Sequence, residues 1–464
     1  MNQDYFFERM PIAGIDISTN HRKIIKGSRL GGDSHTVEVL ERFESRSMHG
    51  QIPLVWSRAH DYNVYDEFGN KWIDFTSTIF VANIGHSNKH LENRLIEQIK
   101  NELIASYAYP VQIRAEYIKK LIQFVGPPFE KAFLLSAGTE TTEAAIKLMR
   151  MNGKKNKKRR GGIVVFSGNW HGRTLGAQLL SNNKAQKDWI YSHDPDIFYL
   201  PFPYPWETTE EGAAEFFETS FGELRSLGIE PSLDVCGFML ETFQGWGAFF
   251  YPKNFVKRIR ETANQINALL CFDEMQSGFA RTGKAFGYQH YEVEPDLICC
   301  GKGMGGGFPL SGVIGKSEIM DLPSVGNMSS THSGNPLSCA AGLAVIEEIE
   351  RLNLVNESKT KGEYLALLLD KICLHFPNII KGNYGNGLIR SLVFYPEINL
   401  CSGQMISGSR MASKIVDLCF RLGVLFVHTG RESIKLGPPL TIPMAAIEEA
   451  IEVLFHAISE TINA

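Results

Sequence analysis

Lys302 sits in Ile298-Cys299-Cys300-Gly301-Lys302-Gly303-Met304-Gly305-Gly306-Gly307, directly after the apolar run Leu297 to Cys300. A lysine at the end of a buried strand is costly unless its charge is used or removed. Desolvation there lowers the amine's pKa towards the range in which it attacks an aldehyde. Its small neighbours let backbone and a flat cofactor come close. The same ten residues also fit a strand followed by a glycine-rich turn with a solvated lysine, so this stretch alone leaves both readings open. A second apolar run, Ala268 to Phe272, stops at Asp273, and Lys302 follows 29 residues later. That distance accommodates one strand, a connection and the next strand, which brings both side chains to one edge of a sheet. A carboxylate in that position needs a cationic partner, and a protonated pyridine nitrogen is a good one. A Schiff-base lysine together with a carboxylate on the ring nitrogen is what pyridoxal 5'-phosphate requires.

Around these two residues the chain reads Phe272-Asp273-Glu274-Met275-Gln276-Ser277-Gly278-Phe279-Ala280-Arg281-Thr282-Gly283, then Gly301-Lys302-Gly303 and Gly307-Phe308-Pro309-Leu310. Together these motifs resemble the class III (omega) aminotransferases of the fold type I pyridoxal phosphate superfamily, over about Val64 to Leu440. The resemblance implies an α/β fold. A large domain carries a mostly parallel seven-stranded sheet between helices, and a smaller α+β domain is built from both chain ends. The expected division is 1–75 for the N-terminal segment and part of the small domain, 76–340 for the cofactor domain and 341–464 for the C-terminal small domain. It also implies ping-pong transfer of an amino group from a primary or omega-amino donor to a keto acid, aldehyde or ketone. The alternative is an ammonia-lyase or phospho-lyase acting on a small amine, phosphorylated and phosphonate amines included, since some family members lose a beta leaving group after the same first half-reaction.

Further site residues follow from the same resemblance. Gly138 and Thr139 begin a helix after the strand Phe133 to Leu135, where free N–H groups and a hydroxyl suit a phosphate; without the family match a plain helix cap is the commoner outcome. Trp170 stands at the position that stacks on the pyridine ring, and Gln276 at the one near the ring hydroxyl. Thr331, in Asn327 to Pro336, matches the threonine that reaches the cofactor phosphate of the neighbouring subunit, which implies a homodimer with shared active sites. Ile79 matches an apolar residue at the substrate mouth, with Thr78 where relatives often carry glycine, a change that would narrow or polarise the pocket. Arg173 is a carboxylate-binding arginine in some members and structural in others.

Members that use glutamate as donor often carry a second Glu where this chain has Trp246, paired with an arginine whose matching position here is Lys435. Both halves of that switch are replaced, which weakens glutamate as donor. Lys435 and Arg431 are the cations left to meet a carboxylate. Trp246, Trp170, Phe80 and Tyr107 suggest an aromatic-walled pocket.

At 464 residues the chain exceeds one ordinary core, so two subdomains are expected. A net charge of −4 gives no whole-chain attraction to nucleic acid or an anionic membrane. No apolar run approaches a membrane span, and Met1 to Met10 lacks the basic and apolar pattern of a signal segment. The eight cysteines form no CxxC or paired framework and read as reduced core thiols of a cytoplasmic protein. Cys299 and Cys300 read as strand packing. No His/Cys cluster has metal spacing, so no metal is expected. The basic run Lys154 to Arg160 lacks interleaved aromatics and reads as a solvated loop. Residues 1 to about 60, with Arg42, Glu44, Arg46 and His49, read as irregular chain lying over a partner or the small domain. Val64 to Phe75 reads as a hairpin, Gly382 to Pro396 as strands, and Ala445 to Ile462 as an amphipathic helix.

Overall fold

The computed structural model describes residues 12–30, 34–48, 50–52 and 54–463. Met1 to Met10 and His49 lie outside the described residues. The chain forms two compact units, one from residues up to 88 with 246–248 and 357 onwards, the other from 89–245 and 249–356.

The second unit is organised on seven strands: β1 (Lys131–Leu135), β2 (Gly162–Phe166), β3 (Ile197–Leu200), β4 (Val235–Glu241), β5 (Leu269–Asp273), β6 (Leu297–Cys300) and β7 (Ser311–Gly315). Their order across the sheet is β3-β2-β4-β5-β6-β7-β1. The pairs from β3 to β6 are parallel, and β7 runs antiparallel to both its neighbours. Strands covered on both faces lose the alternation of polar and apolar residues, and every residue of β2, β4, β5 and β6 is buried. The helix Gly138–Lys155 supplies Ala145, Leu148 and Met149 to a core that also holds Val165, Met239, Cys271 and Cys299. Cys299 and Cys300 are fully buried, and burial pushes the Cys300 thiol well up, so it packs as an apolar group.

The basic run is only in part a solvated loop. Lys158 bonds the Ser232 carbonyl at 2.7 Å, Arg159 forks onto Asp234 and Arg160 bonds Asp196 at 2.5 Å. Three of its cations thus tie together the starts of β2, β3 and β4, whose carboxylates come from distant parts of the chain.

The first unit carries a four-stranded antiparallel sheet of Ile380–Asn386, Ile389–Phe394, Ser433–Leu436 and Val427–His428. The helix Met444–Asn463 buries Ile447, Ile451, Leu454 and Ile458, the face its periodicity predicts. The hairpin pairs Asn63–Tyr65 with Lys71–Asp74, Val64 facing Trp72. The N-terminal segment is more regular than its sequence suggests. Ser34–Phe43 is a ten-residue helix, and Ile24 and Leu30 pack into a cluster with Val64, Trp72, Phe420 and Leu425. Scattered single apolar residues gave no periodic signal, because their partners lie far away in sequence.

The residues Ser77, Thr78, Ile79 and Phe80 have φ of 47, 51, 59 and 68°, a left-handed turn without a glycine. Such backbone costs roughly 1–2 kcal/mol per L-residue, so its surroundings must impose it. The Asp74 carboxylate accepts bonds from the Thr76 amide and hydroxyl, both at 2.7 Å, and the Thr76 hydroxyl accepts from the Thr78 amide at 3.1 Å. The Ser77 hydroxyl donates to the Gly437 carbonyl at 2.6 Å. The Phe80 ring lies so close to Gly437 that a Cβ there would fall 2.2 Å from it, which explains the glycine.

Candidate active site

The parallel strands β2, β4, β5 and β6 end at the same edge of the sheet, where ligands of open α/β sheets bind. Parallel register sets Glu241 opposite Asp273, and Asp273 opposite Cys299, three residues before Lys302. A cavity of ≈190 Å³ opens at this edge, and Lys302, Asp273, Trp170, Gln276, Gly138 and Thr139 all line it. Six of the residues expected at the site are therefore brought together in one unit.

Asp273 is held at both oxygens. Its Oδ1 accepts the Met275 amide at 3.0 Å and its Oδ2 faces His171 Nδ1 at 2.9 Å. The Asn182 amide bonds Asn169 Oδ1 at 3.1 Å, which turns Asn169 Nδ2 towards His171 Nε2 at 2.7 Å. His171 therefore accepts at Nε2 and donates from Nδ1 to the carboxylate. This fixes the Asp273 carboxyl group in the wall of the cavity.

Lys302 itself has φ 47°, a left-handed backbone for a residue other than glycine. Such outliers concentrate where surrounding structure enforces a functional geometry. Desolvation lowers its amine pKa, while the Asp273 and Glu241 carboxylates work in the opposite direction. The amine is thus biased towards the free base that attacks a carbonyl carbon.

Two lining residues, Glu241 and His171, received no role from the sequence. Glu241 ends an apolar strand as Asp273 does, so the same signal could have found it. Its Oε2 accepts the Trp170 amide at 2.9 Å and the Gly245 amide at 3.3 Å, and its Oε1 lies 3.4 Å from Gln276 Nε2. Burial pushes its carboxyl up to about 7, opposed by His171 and reinforced by Asp273. A carboxyl with a raised native pKa contributes stability below its ordinary range near 4.5 and loses it as pH rises through about 7. The cofactor-free protein should lose thermal stability over that interval, and Glu241→Gln, neutral throughout, should flatten the loss. Thermal melts of both proteins across the interval check this; parallel slopes would place the proton elsewhere.

The cavity fits the cofactor implied by the motifs. It offers an amine for covalent attachment, a carboxylate for a ring nitrogen, an indole face and the start of the helix Gly138–Lys155 for a phosphate. At Gly138 a Cβ would stand 2.7 Å from Met275 Sδ, so a side chain there would intrude on the lining.

Other expected site residues are placed differently. The Arg173 guanidinium lies 4.7 Å from the Trp170 ring centroid and is exposed. Thr331 is exposed in the turn Thr331–Gly334 and does not line the cavity. Tyr107 is half exposed and also stands outside that lining. Ile79, Trp246 and Lys435 belong to the first unit. There Lys435 is buried with its amine 4.5 Å from the Phe80 ring centroid. Arg431 stacks 3.8 Å from the Trp246 centroid, and Trp246 is anchored by the Ser433 hydroxyl on its carbonyl at 2.6 Å.

The family model described as aminotransferase class III matches residues 45–458. The acetylornithine aminotransferase of Archaeoglobus fulgidus is 33% identical over 405 residues, covering 87% of this chain and 95% of that protein. The ornithine aminotransferase of Oceanobacillus iheyensis is 30% identical over 427 residues, 90% of this chain and 97% of that one. Among solved structures, an (S)-enantioselective omega-transaminase from Thermomicrobium roseum superposes with a TM-score of 0.83 at 24% identity, covering 93% and 99% of the two chains. The ornithine aminotransferase of Toxoplasma gondii, described with partial occupancy of PLP, superposes with a TM-score of 0.80 at 22% identity, over 93% and 96%; both likenesses concern the fold. With that match over most of its length and a lysine, a held aspartate and a helix start around one cavity, the chain belongs to the class III aminotransferases and is a pyridoxal 5'-phosphate-dependent transaminase.

Proposed function

We propose that Lys302 and Asp273 are the catalytic residues and that the donor is a primary amine other than glutamate, with a keto acid as acceptor. The observation that carries the catalytic assignment is the meeting of the Lys302 amine and the His171-held Asp273 carboxylate in one cavity. When bound, pyridoxal phosphate supplies an electron sink for the charge left at the amino-bearing carbon. Lys302 Nζ would hold the cofactor covalently, and the same amine is the group that would move the proton at that carbon. Asp273 would present its carboxylate to the ring nitrogen, Trp170 would cover the ring, and Gly138 and Thr139 would hold the phosphate. Gln276, braced by Glu241, would face the ring hydroxyl.

On the substrate side we assign Ile79, Trp246, Arg173 and Lys435, and we add Arg431. Arg431 presents a planar fork for a carboxylate, stacked on the indole that replaces the switch glutamate. Lys435 is buried against Phe80 and suits a supporting charge. Arg431→Ala should raise KM for the keto acid about tenfold or more, the loss of a charge-assisted bond. A rise only in a Lys435 variant would transfer that role to the lysine.

The names of the relatives point to acetylornithine and ornithine as substrates of those proteins. The replaced Glu and Arg argue for a different amine here. The reading is tested by mixing holoenzyme with a panel of amines, glutamate included, without keto acid. One equivalent of carbonyl product per site is expected. Continued turnover with release of ammonia or phosphate would show a lyase instead.

A homodimer with shared sites is supported by the exposed apolar residues Ile96, Ile99, Leu103, Ile104 and Tyr109. Asn335, next to the turn of Thr331, bonds the Ile104 carbonyl at 2.8 Å, so that patch adjoins the threonine assigned to a neighbouring phosphate. Sedimentation at twice 52.0 kDa is expected, and a monomer would remove Thr331 from the site. Among the described residues no helix is long and apolar enough to cross a membrane. All eight cysteines are unbridged, which supports a reducing, cytoplasmic setting.

A further inference from the structure

Within the second unit the helix Gly138–Lys155 meets the segment 171–177 along one face, since Thr139, Thr142 and Glu143 lie three and four residues apart. The Thr142 hydroxyl donates to the His171 carbonyl at 2.8 Å. Glu143 Oε1 accepts the Thr174 hydroxyl at 2.5 Å and the Ala177 amide at 3.1 Å. Thr139 Oγ1 accepts the Thr174 amide at 3.1 Å and lies 2.6 Å from Thr174 Oγ1. Two glycines make room for this contact. A Cβ on Gly172 would stand 2.4 Å from Thr139 Oγ1, and one on Gly176 would stand 2.3 Å from Glu143 Oε2.

The chain of hydroxyls has a direction. A carboxylate only accepts, so the Thr174 proton goes to Glu143, and Thr174 Oγ1 is the acceptor in its contact with Thr139. The single Thr139 hydroxyl proton is used there. What Oγ1 has left is a lone pair, which gives no hydrogen bond to an anion. The backbone is better placed to do so. Glu140 Oε2 takes the amides of Ser136 and Ala137 at 2.8 and 2.9 Å, whereas those of Gly138 and Thr139, at the first two helical positions, have no acceptor within their own helix.

We infer that Thr139 meets the cofactor phosphate through its backbone N–H, and that its hydroxyl forms with Thr174 and Glu143 a clip that sets the segment carrying Trp170 and His171 against the helix start. Thr174 and Glu143 are positioning residues in this arrangement. They act through Trp170, which lines the cavity as the ring's cover, and through His171, which holds Asp273 Oδ2. Turning the Thr139 hydroxyl towards a phosphate would take from Thr174 Oγ1 the proton it accepts, so the clip and a direct hydroxyl–phosphate bond compete for one proton. This inference rests on the transaminase reading above.

The test titrates full-length protein, stripped of cofactor, with pyridoxal 5'-phosphate and with pyridoxal, which has the same ring and no phosphate. The visible absorbance of the Lys302-bound aldehyde reports both dissociation constants. Thr139→Val and Thr174→Val should weaken both aldehydes by a similar factor, about 2–10-fold for one lost hydrogen bond, so the ratio of the two constants stays within about twofold of the parent. The double variant should bind no more weakly than the weaker single one, because the shared bond is lost once. Thr139→Ser and Thr174→Ser, which keep the hydroxyls, should bind as the parent does. The induced visible circular dichroism of the bound cofactor should fall in the valine variants only, a signature of a shifted Trp170 that a change in helix stability by itself would not produce. A ratio that falls about tenfold in Thr139→Val alone would put the hydroxyl on the phosphate and overturn the inference. So would unchanged constants for both aldehydes in the valine variants, or additive losses in the double variant. Should Thr139→Val fail to fold, Thr139→Ala removes the same hydroxyl, and Thr174 is exposed and tolerates valine. A parent that gives no visible absorbance with either aldehyde would instead strike the transaminase reading.

Discussion

Lys302→Ala loses turnover by about 10⁴-fold or more and loses the visible absorbance of the lysine-bound cofactor. Two functions vanish with one amine. The side chain that anchors the cofactor is also the base that moves the substrate proton, and positioned proton transfer by itself is worth about 10²–10⁴-fold. Among the described residues no other lysine lines the cavity, so nothing nearby can take over. The desolvation that lowers the Lys302 pKa is a property of that position and not of lysine in general. Borohydride reduction followed by peptide mapping checks the assignment. In the parent the cofactor mass should sit on the peptide holding Lys302, and in the variant no lysine peptide should carry it. A variant that still turns over amines, or that fixes the cofactor on another lysine, would remove Lys302 from the centre of the site.

Asp273→Asn retains covalent attachment of the cofactor but lowers kcat by roughly 10²–10³-fold, the scale for losing one preorganised charge partner. The amide also disturbs its neighbour. Its NH₂ group, placed where Asp273 Oδ2 faces the His171 Nδ1–H, would set donor against donor. Flipping the amide or the His tautomer moves the mismatch to Met275 or to Asn169, whose orientation the Asn182 amide holds. The substitution has a second signature with a definite sign. Asp273 raises the Lys302 pKa, so its neutral replacement lets that pKa fall further, and the acidic limb of the pH–rate profile should move to lower pH. His171→Ala should cost less in kcat, since it frees the carboxylate without removing it. If Asp273→Asn moved neither kcat nor the acidic limb, Asp273 would be a packing residue and not the partner of the ring nitrogen.

Much of this site was legible because it lies where local signals are strongest. Apolar runs that stop at a charged residue mark the ends of buried strands, and in a parallel sheet those ends converge. That reasoning places Asp273 and Lys302 together without any coordinates. It applies equally to Glu241, which closes the fully buried β4, yet its role required the register that sets it opposite Asp273. His171 was not legible at all, since the carboxylate that gives it a role, Asp273, lies 102 residues away and meets it only on folding.

The sequence by itself determined the sheet edge, the lysine and aspartate at it and the family, because strand ends and glycine-flanked turns are written in contiguous residues. Tertiary structure alone decided the tautomer of His171, the raised pKa of Glu241, the ion pairs of Arg159 and Arg160 and the handedness of Ser77–Phe80. Each of these depends on groups brought within a few ångströms by elements far apart in the chain. Thr78 shows the difference most sharply. Its identity is plain in the sequence, but only the folded turn, held by the Asp74 carboxylate and by the Ser77 hydroxyl on the distant Gly437 carbonyl, gives it a left-handed backbone with its hydroxyl on the Ser77 carbonyl.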